Sequence, residues 1–495
     1  MSTVAETKKL IPLSNATLAD LPSGIPRPNY DRAALKPGIV HIGLGNFHRA
    51  HQAWYLHRLM QNGACHDWAI IGAGVREGDA QMRERLLEQD CLTTLIELDP
   101  ASSSVEVTGA MIDFLPVDKD NAALVACMSS ATIRIVSLTV TEGGYFFAPD
   151  TGGLDLNAPD IRHDIENPDT PRTVFGAIVA ALKARRAAEL NPFTVLSCDN
   201  LQGNGDITRT AVVSLAKQSD PDLAIWIDKH GAFPNSMVDC IVPATGPQEL
   251  SLARSAGIED AAPVTHESFR QWVIEDAFCT GRPDWDLVGA TFTDDVHPYE
   301  SMKIRLLNAG HQVLANAGEL LSIGTIADCM NDPDVSAFFT KVLSEEIEPH
   351  VDAVPGMTAA QYIGLITRRF ANQKIHDTTR RVAFDGLSRH RNFLHPVIEE
   401  ALAKGLPIEG LALAEALWAR MCAGTREDGS IVEANDPEWT ALHEAAVEAR
   451  TAPEAWLKFY TAFANDDQFR EPFSTALENV WKLGARAAIS LYCKP

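Results

Sequence analysis

The chain has 495 residues, 46% of them hydrophobic, which is enough for two or three domains, each with its own core. A formal net charge of −24 and a pI near 5.0 argue against nucleic acid and anionic membrane surfaces as partners, because both would repel it. Nine cysteines, scattered and never spaced as Cys-x-x-Cys, point to a reducing compartment rather than to a disulfide framework or a zinc site.

Residues 1–36 are polar and proline-punctuated, and are expected to form an N-terminal extension without an apolar signal segment. No later stretch offers about 18 uninterrupted apolar residues, so a cytoplasmic protein without a membrane span is expected. Order begins at Gly38-Ile-Val-His-Ile-Gly-Leu-Gly-Asn-Phe-His-Arg-Ala-His-Gln52. A β-branched run from Ile39 to Ile42 enters a turn with Gly43 and Gly45, and a helix follows to about Met60, the opening of a dinucleotide-binding unit. Glycines there let backbone N–H groups approach a pyrophosphate. His48 occupies the place of the usual third glycine, so the fingerprint is incomplete.

The next strand, Trp68 to Val75, runs into Arg76-Glu-Gly-Asp79. An acid past this strand binds the adenosine ribose and repels a 2′-phosphate, so Asp79 favours NAD while Arg76 pulls the other way. Strands are then predicted at Thr132–Val140, leading into Thr141-Glu142, and at Phe193–Ser197, ending at Cys198-Asp199-Asn200. Intervening helices over Val174–Ala188 and Gly205–Gln218 complete an α/β pattern with a parallel sheet, whose ligands gather at strand C-termini. Glu142 and Asn200 stand at such ends, although a loop asparagine is by default a structural cap.

Beyond about residue 294 the texture becomes helical. Helices are predicted over Ile304–Ile323, Asp334–Glu346, Ala359–Phe370, Leu411–Cys422, Asp436–Ala449 and Pro472–Leu491. The expected organisation is therefore a Rossmann-like domain over 37–294 and a mostly α-helical substrate-binding domain over 295–495. The second opens on Met302-Lys-Ile-Arg-Leu-Leu-Asn-Ala-Gly-His-Gln312, an otherwise apolar helix carrying Lys303, Asn308 and His311. At about 100° per residue, Asn308 and His311 lie roughly 140° and 80° round from Lys303, so all three can face one cleft.

Those residue types suit oxidation of an alcohol. A desolvated lysine can accept the hydroxyl proton, asparagine can donate to the developing alkoxide, and histidine can fix the substrate, with no metal required. The structural alternative is a partly exposed helix with a surface lysine and a core-edge histidine. Apolar neighbours Leu306, Leu307, Val313 and Leu314 indicate burial of one side, and a buried lysine needs a reason. An interdomain cleft facing the cofactor is the expected address. Tyr299-x3-Lys303 also reads as the catalytic pair of short-chain dehydrogenases, but that pair normally lies inside one Rossmann domain, close to the glycine turn.

The turn Gly43–Gln52, Ser137-Leu-Thr-Val-Thr-Glu-Gly-Gly-Tyr145, Ser197-Cys-Asp-Asn200, Phe233-Pro-Asn-Ser-Met-Val-Asp239, Gln271-Trp-Val-Ile-Glu-Asp276 and Lys303-x4-Asn308-x2-His311 occur in that order. Together they resemble the long-chain, zinc-independent polyol dehydrogenases, the mannitol 2-dehydrogenase and fructuronate reductase type. The resemblance implies Lys303 as general base, Asn200 and Asn308 as an oxyanion-stabilising pair, and His311 and Asp239 as substrate-positioning residues. It further implies Glu300 in proton exit, Glu142 in the active-site network, and Arg381 and Arg389 as a clasp on the far hydroxyls. Gly43, Gly45, Asn46, Phe47, Arg49, Asp79 and Glu142 are expected at the NAD cofactor, with no metal. Two departures bear on specificity: Cys240 stands where relatives commonly have Arg, and Gly78 where many have Glu. The resemblance thus implies an NAD-dependent enzyme, a monomer or small homo-oligomer, acting on a polyol or ketose, with D-mannitol to D-fructose favoured. Alternatives are a hexuronate reductase, a sorbitol or arabinitol dehydrogenase, and a non-catalytic NAD-binding sensor.

Overall fold

Strict alternation along one short strand sets the layers of the N-terminal half. In the computed structural model, which describes residues 10–76, 78–148, 152–460 and 462–494, β1 (Pro37–Ile42) is buried from Gly38 onward. Val40 and Ile42 enter one core with Val136, Leu138, Val195, Phe175 and Ile178, while Ile39 enters the other with Ile70, Ile135, Leu196, Leu56 and Trp272. Successive strand residues point to opposite faces, so a sheet covered on both sides needs an apolar run rather than an apolar–polar alternation.

Four further strands join β1: β2 (Ala69–Ala73), β3 (Met111–Phe114), β4 (Ile135–Leu138) and β5 (Thr194–Ser197). Their order is β5-β4-β1-β2-β3 and every pairing is parallel. That is the doubly wound order, with its reversal between β1 and β4. Helices between the strands begin where the sequence supplies caps. Thr173 accepts from Gly176 N–H at 3.0 Å to start Val174–Ala187, and Asp220 accepts from Leu223 N–H at 2.9 Å, followed by Pro221, to start Pro221–His230.

Smaller sheets flank this core and go beyond the sequence expectation. Thr93–Leu98 pairs antiparallel with Ser103–Thr108 and parallel with Val264–His266. Ser236–Asp239 pairs antiparallel with Gln271–Glu275, which is parallel to Thr291–Thr293. The edge segments are short or rich in Ser, Thr and Glu, so pairing and not local pattern makes them strands. Of the expected N-terminal extension, residues 1–9 lie outside the described residues, and Ile11–Pro12 pairs in parallel with Ile258–Glu259.

Two compact units divide the chain, one ending at His297 and the other starting at Pro298. The second is helical. Its helix Glu409–Cys422 is buried from Gly410 to Cys422, as expected for a helix apolar on all sides. Glu415 in its middle accepts hydrogen bonds from Tyr460 Oη at 2.8 Å and from His390 Nδ1 at 2.9 Å. Burial alone would raise this carboxyl, but His390 and His395 hold it well below the usual carboxylate range. Where one helix is predicted over Pro472–Leu491 there are two, Asp467–Leu483 and Ala485–Cys493, because Gly484 adopts φ +90° and ends the first. No helix among the described residues is long and apolar enough to cross a membrane.

The turn after β1 has no room for a side chain. Gly43 lies at φ +92°, and a Cβ built on it would sit 2.2 Å from the carbonyl oxygen of Thr139. Gly43→Ala should therefore cost about 1–3 kcal/mol of stability from strain and overpacking, read as a lower urea midpoint with the m-value unchanged.

Candidate active site

The crevice at the C-terminal ends of β1 and β4 is held together by backbone and hydroxyl contacts. Gly43 N–H donates to Ala73 O at 3.0 Å, Thr139 N–H to Ile42 O at 3.0 Å, and Thr139 Oγ1 to Gly43 O at 2.8 Å. Beneath the turn, His41 makes contacts of 2.8 Å to Ser137 Oγ and 3.0 Å to Thr139 Oγ1. His48 stacks on His41 with ring centroids 3.4 Å apart. This accounts for histidine in place of the third glycine: the helix breaks at His51 into Asn46–Ala50 and Gln52–Gln61, and His48 packs inward instead of leaving space. Burial pushes His41 down to about 3 and His48 well below the ordinary histidine range.

Asn46 and Arg49, expected at the cofactor, support the loop from within. Asn46 Nδ2 donates to Pro243 O and Thr245 Oγ1, each at 2.9 Å, and its Oδ1 accepts from Arg49 Nη2 at 2.8 Å. Arg49 is fully buried and also donates to Ala262 O, and desolvation lowers its guanidinium to about 10. Phe47 stacks on His51 at 4.9 Å. Past β2, Asp79 Oδ2 closes its own turn, accepting from Val75 N–H at 3.0 Å and Arg76 N–H at 2.9 Å. Arg76 Nη2 lies 3.3 Å from Val140 O and 3.5 Å from Thr141 Oγ1, across the crevice side of β4.

A residue that sequence reasoning passed over organises the next two strand ends. Asp199 is buried, and its carboxylate accepts from Val140 N–H at 3.0 Å, Thr141 N–H at 2.7 Å and Tyr145 Oη at 2.7 Å. Burial raises this carboxyl, with the three donors opposing the rise. Asp199 thereby fixes the segment that leads into Glu142, which is exposed, and the loop that carries Asn200. Asn200 itself is exposed. Asn204 ties the same loop to the Ser236–Asp239 strand, donating to Asp199 O at 3.0 Å and Ser236 O at 2.8 Å. Asp239 ends that strand and is buried, and Cys240 follows it half-buried. The only visible signal for Asp199 was a carboxylate at a strand C-terminus, within the quoted Ser-Cys-Asp-Asn motif.

In the second unit, residues Lys303–Asn308 form a π-helix, with Ala309 N–H bonded to Ile304 O five residues back. The α-helical angles given above therefore do not apply: i→i+5 bonding stacks residues five apart, which brings Lys303 and Asn308 onto one face. Lys303 is 8% exposed and Asn308 7%, and Glu300 is buried one turn earlier. Asn308 Nδ2 is a buried donor with no hydrogen-bond partner among the described residues. Leaving such a donor unpaired costs about 1–3 kcal/mol, an expense that a ligand acceptor would remove.

His311 lies in the first turn of the α-helix Ala309–Leu320 that continues this segment and stacks on Phe370 at 4.1 Å. Its Nε2 lies 4.0 Å from Asp377 Oδ2. Asp377, which sequence reasoning also missed, is buried and accepts from Arg381 Nε and Nη2, each at 2.7 Å. The i,i+4 spacing of Asp377 and Arg381 was the available signal. Arg389 Nη1 donates to Val382 O at 2.7 Å.

Glu275, Asp295 and His297 bring ligand-type atoms within 4.8 Å of one another. Asp295 is bonded to His297 at 2.9 Å and Glu275 to Asn235 at 2.9 Å, so hydrogen bonding accounts for the grouping.

Residues 37–287 match the mannitol dehydrogenase Rossmann domain and residues 295–481 the mannitol dehydrogenase C-terminal domain. A mannitol 2-dehydrogenase of Cereibacter sphaeroides is 53% identical over 468 residues, spanning 94% of this chain and 98% of that protein. The structure is similar to Pseudomonas fluorescens mannitol 2-dehydrogenase in ternary complex with NAD and D-mannitol, with TM-score 0.91 and 38% identity over 98% of this chain and 100% of that one. It is also similar to a D-sorbitol dehydrogenase in substrate-free form, with TM-score 0.86 and 35% identity over 96% of this chain and 100% of that one.

Buried neutral histidines make the first unit acid-sensitive. His41, His57 and His266 are each held at about 3 by burial, so below the unfolded value of about 6.5 the unfolded chain takes up protons that the folded chain refuses. Stability should fall with pH from about 6.5 downward, by about 1.4 kcal/mol per pH unit for each such histidine. Urea midpoints taken at pH 7.5, 6.0 and 5.0 should decline, and His41→Gln should give a shallower decline than the parent.

Proposed function

Because the chain belongs to the mannitol dehydrogenase family, we propose that it is an NAD-dependent polyol dehydrogenase that oxidises D-mannitol at C2 to D-fructose. The observation that carries the reading is the buried, unpartnered Asn308 Nδ2 on the same π-helical face as buried Lys303. A proton acceptor beside an oxyanion donor is what removal of a hydride from a secondary alcohol requires.

The crevice fits a dinucleotide: Gly43 and Gly45 leave the backbone bare at the reversal of strand order. NAD bound there supplies the hydride acceptor. Neutral Lys303 takes the C2 hydroxyl proton, Asn200 and Asn308 donate hydrogen bonds to the developing alkoxide, and His311 and Asp239 hold the neighbouring hydroxyls. Glu300 passes the proton outward, Arg381 and Arg389 clasp the far end of the chain, and Glu142 belongs to the hydrogen-bond network around the site. In the reverse direction protonated Lys303 polarises the ketose carbonyl. Oxidation therefore rises with pH, because only the neutral amine accepts a proton. Asp79, with one oxygen spent on its turn, offers the other to the ribose and repels a 2′-phosphate. Likeness to a D-sorbitol dehydrogenase supports sorbitol as the second substrate to try.

Assay of mannitol, sorbitol, arabinitol and fructuronate with NAD and NADP should give the highest kcat/KM for mannitol with NAD. Lys303→Ala should lower kcat by about 10²-fold or more, and Asn308→Ala by about 10- to 1000-fold, with NADH binding nearly intact by fluorescence titration. Normal turnover in Lys303→Ala would exclude it as the base. Asp79→Ala should narrow the NAD over NADP preference by about 1–3 kcal/mol in kcat/KM; an unchanged ratio would reduce Asp79 to a turn residue.

A further inference from the structure

Arg381, of the proposed substrate clasp, has its charge matched within its own unit by Asp377. One edge of its guanidinium is committed: Nε and Nη2 each donate at 2.7 Å, one to each oxygen of Asp377. The carboxylate side is buried, with 6% of its side chain exposed, whereas the arginine side chain is 57% exposed. The pair is therefore anchored at Asp377, and the arginine is the group presented outward, with Nη1 making no hydrogen bond among the described residues. The same carboxylate stands 4.0 Å from His311 Nε2, whose ring is clamped against Phe370. Arg389 gives Nη1 to the Val382 carbonyl.

A bidentate fork is the arrangement by which arginine recognises a carboxylate, and here the protein has supplied that carboxylate itself. What remains on Arg381 is three N–H donors, two on Nη1 and one on Nη2, on a charge-neutral pair, suited to hydroxyl oxygens. A substrate carboxylate arriving at this point would find the arginine's charge already offset and a like charge behind it. We propose that Asp377 is a specificity-determining residue: by neutralising Arg381 and backing His311, it makes the site accept an uncharged polyol and reject the corresponding sugar acid. This rests on the polyol reading above and deepens it, because the alternative hexuronate reductase would need an arginine whose charge is not offset.

The test exchanges the charge and reads binding as well as turnover. D-mannonate is D-mannitol with a carboxylate at C1, and 1-amino-1-deoxy-D-mannitol carries an ammonium there. Dissociation constants for both, from quenching of bound NADH fluorescence, are measured on the parent, Asp377→Asn and Arg381→Gln. Asp377→Asn should bind D-mannonate at least about tenfold more tightly than the parent does. Its kcat/KM for mannitol should fall mainly through KM, as expected of a positioning residue. Arg381→Gln, on an exposed side chain, leaves the carboxylate uncompensated and should gain at least about tenfold in affinity for the aminopolyol, so the proposal stays testable if Asp377→Asn fails to fold. Equal D-mannonate affinity in parent and Asp377→Asn, or no gain for the amine in Arg381→Gln, overturns it. Absence of polyol turnover in the parent would instead overturn the polyol reading, and the binding arms register separately from that result.

Discussion

Everything at the nucleotide end of the fold depends on a carbonyl occupying the place of a side chain. Thr139 O lies where a Cβ on residue 43 would be, so β1 and β4 approach each other closely just where the strand order reverses. That approach is secured from three directions: Thr139 bonds back to Gly43, His41 bridges Ser137 and Thr139 below, and Asp199 gathers the next amides of the β4 exit. Each of these groups is buried or half-buried and hydrogen-bonded, so the crevice is held in shape by the protein's own contacts. The cost is carried by the histidines, which burial keeps uncharged.

The helical unit solves a different problem, holding a polar segment steady inside an apolar packing. Asn316, two turns along from Asn308, donates to Gln312 O at 3.0 Å and contacts His390 Nε2 at 2.9 Å. His390 in turn meets Glu415, which Tyr460 also reaches. The helix that bears the proposed chemistry is thus tied to the most buried helix of its unit by a hydrogen-bonded chain, and His390 further stacks on Trp418 at 4.2 Å. Buried polar chains of this kind rigidify when every member is satisfied. Against that background Asn308 stands apart as a donor: the amide nitrogens of Gln312 and Asn316 on the same helix donate to Val382 O and Gln312 O, whereas Asn308 Nδ2 has no partner among the described residues.

Asp377 and Asp199 play parallel parts in the two units. Each is a buried carboxylate that accepts several hydrogen bonds and fixes the groups beside it: Asp199 the strand ends that lead to Glu142 and Asn200, Asp377 the arginine and histidine of the proposed substrate clasp. A carboxylate serves this purpose because its two oxygens can take donors from different segments at once.

The sequence alone determined the strand–glycine–helix opening, the parallel sheet and the helical second half. Those features are written in local periodicity: apolar runs for two-sided strands, apolar stripes for helices, glycine where the backbone must be bare. Tertiary structure decided the rest. A π-helix in place of an α-helix at Lys303–Asn308 leaves no mark in the residue types, and the break at Gly484 was hidden inside a continuous helical pattern. Asn46 reaches partners at Pro243 and Thr245, and Arg49 reaches Ala262, about two hundred residues along the chain. The physical reason is that a buried polar group takes whatever partner the fold brings to it, and a partner that distant in sequence leaves no periodic trace.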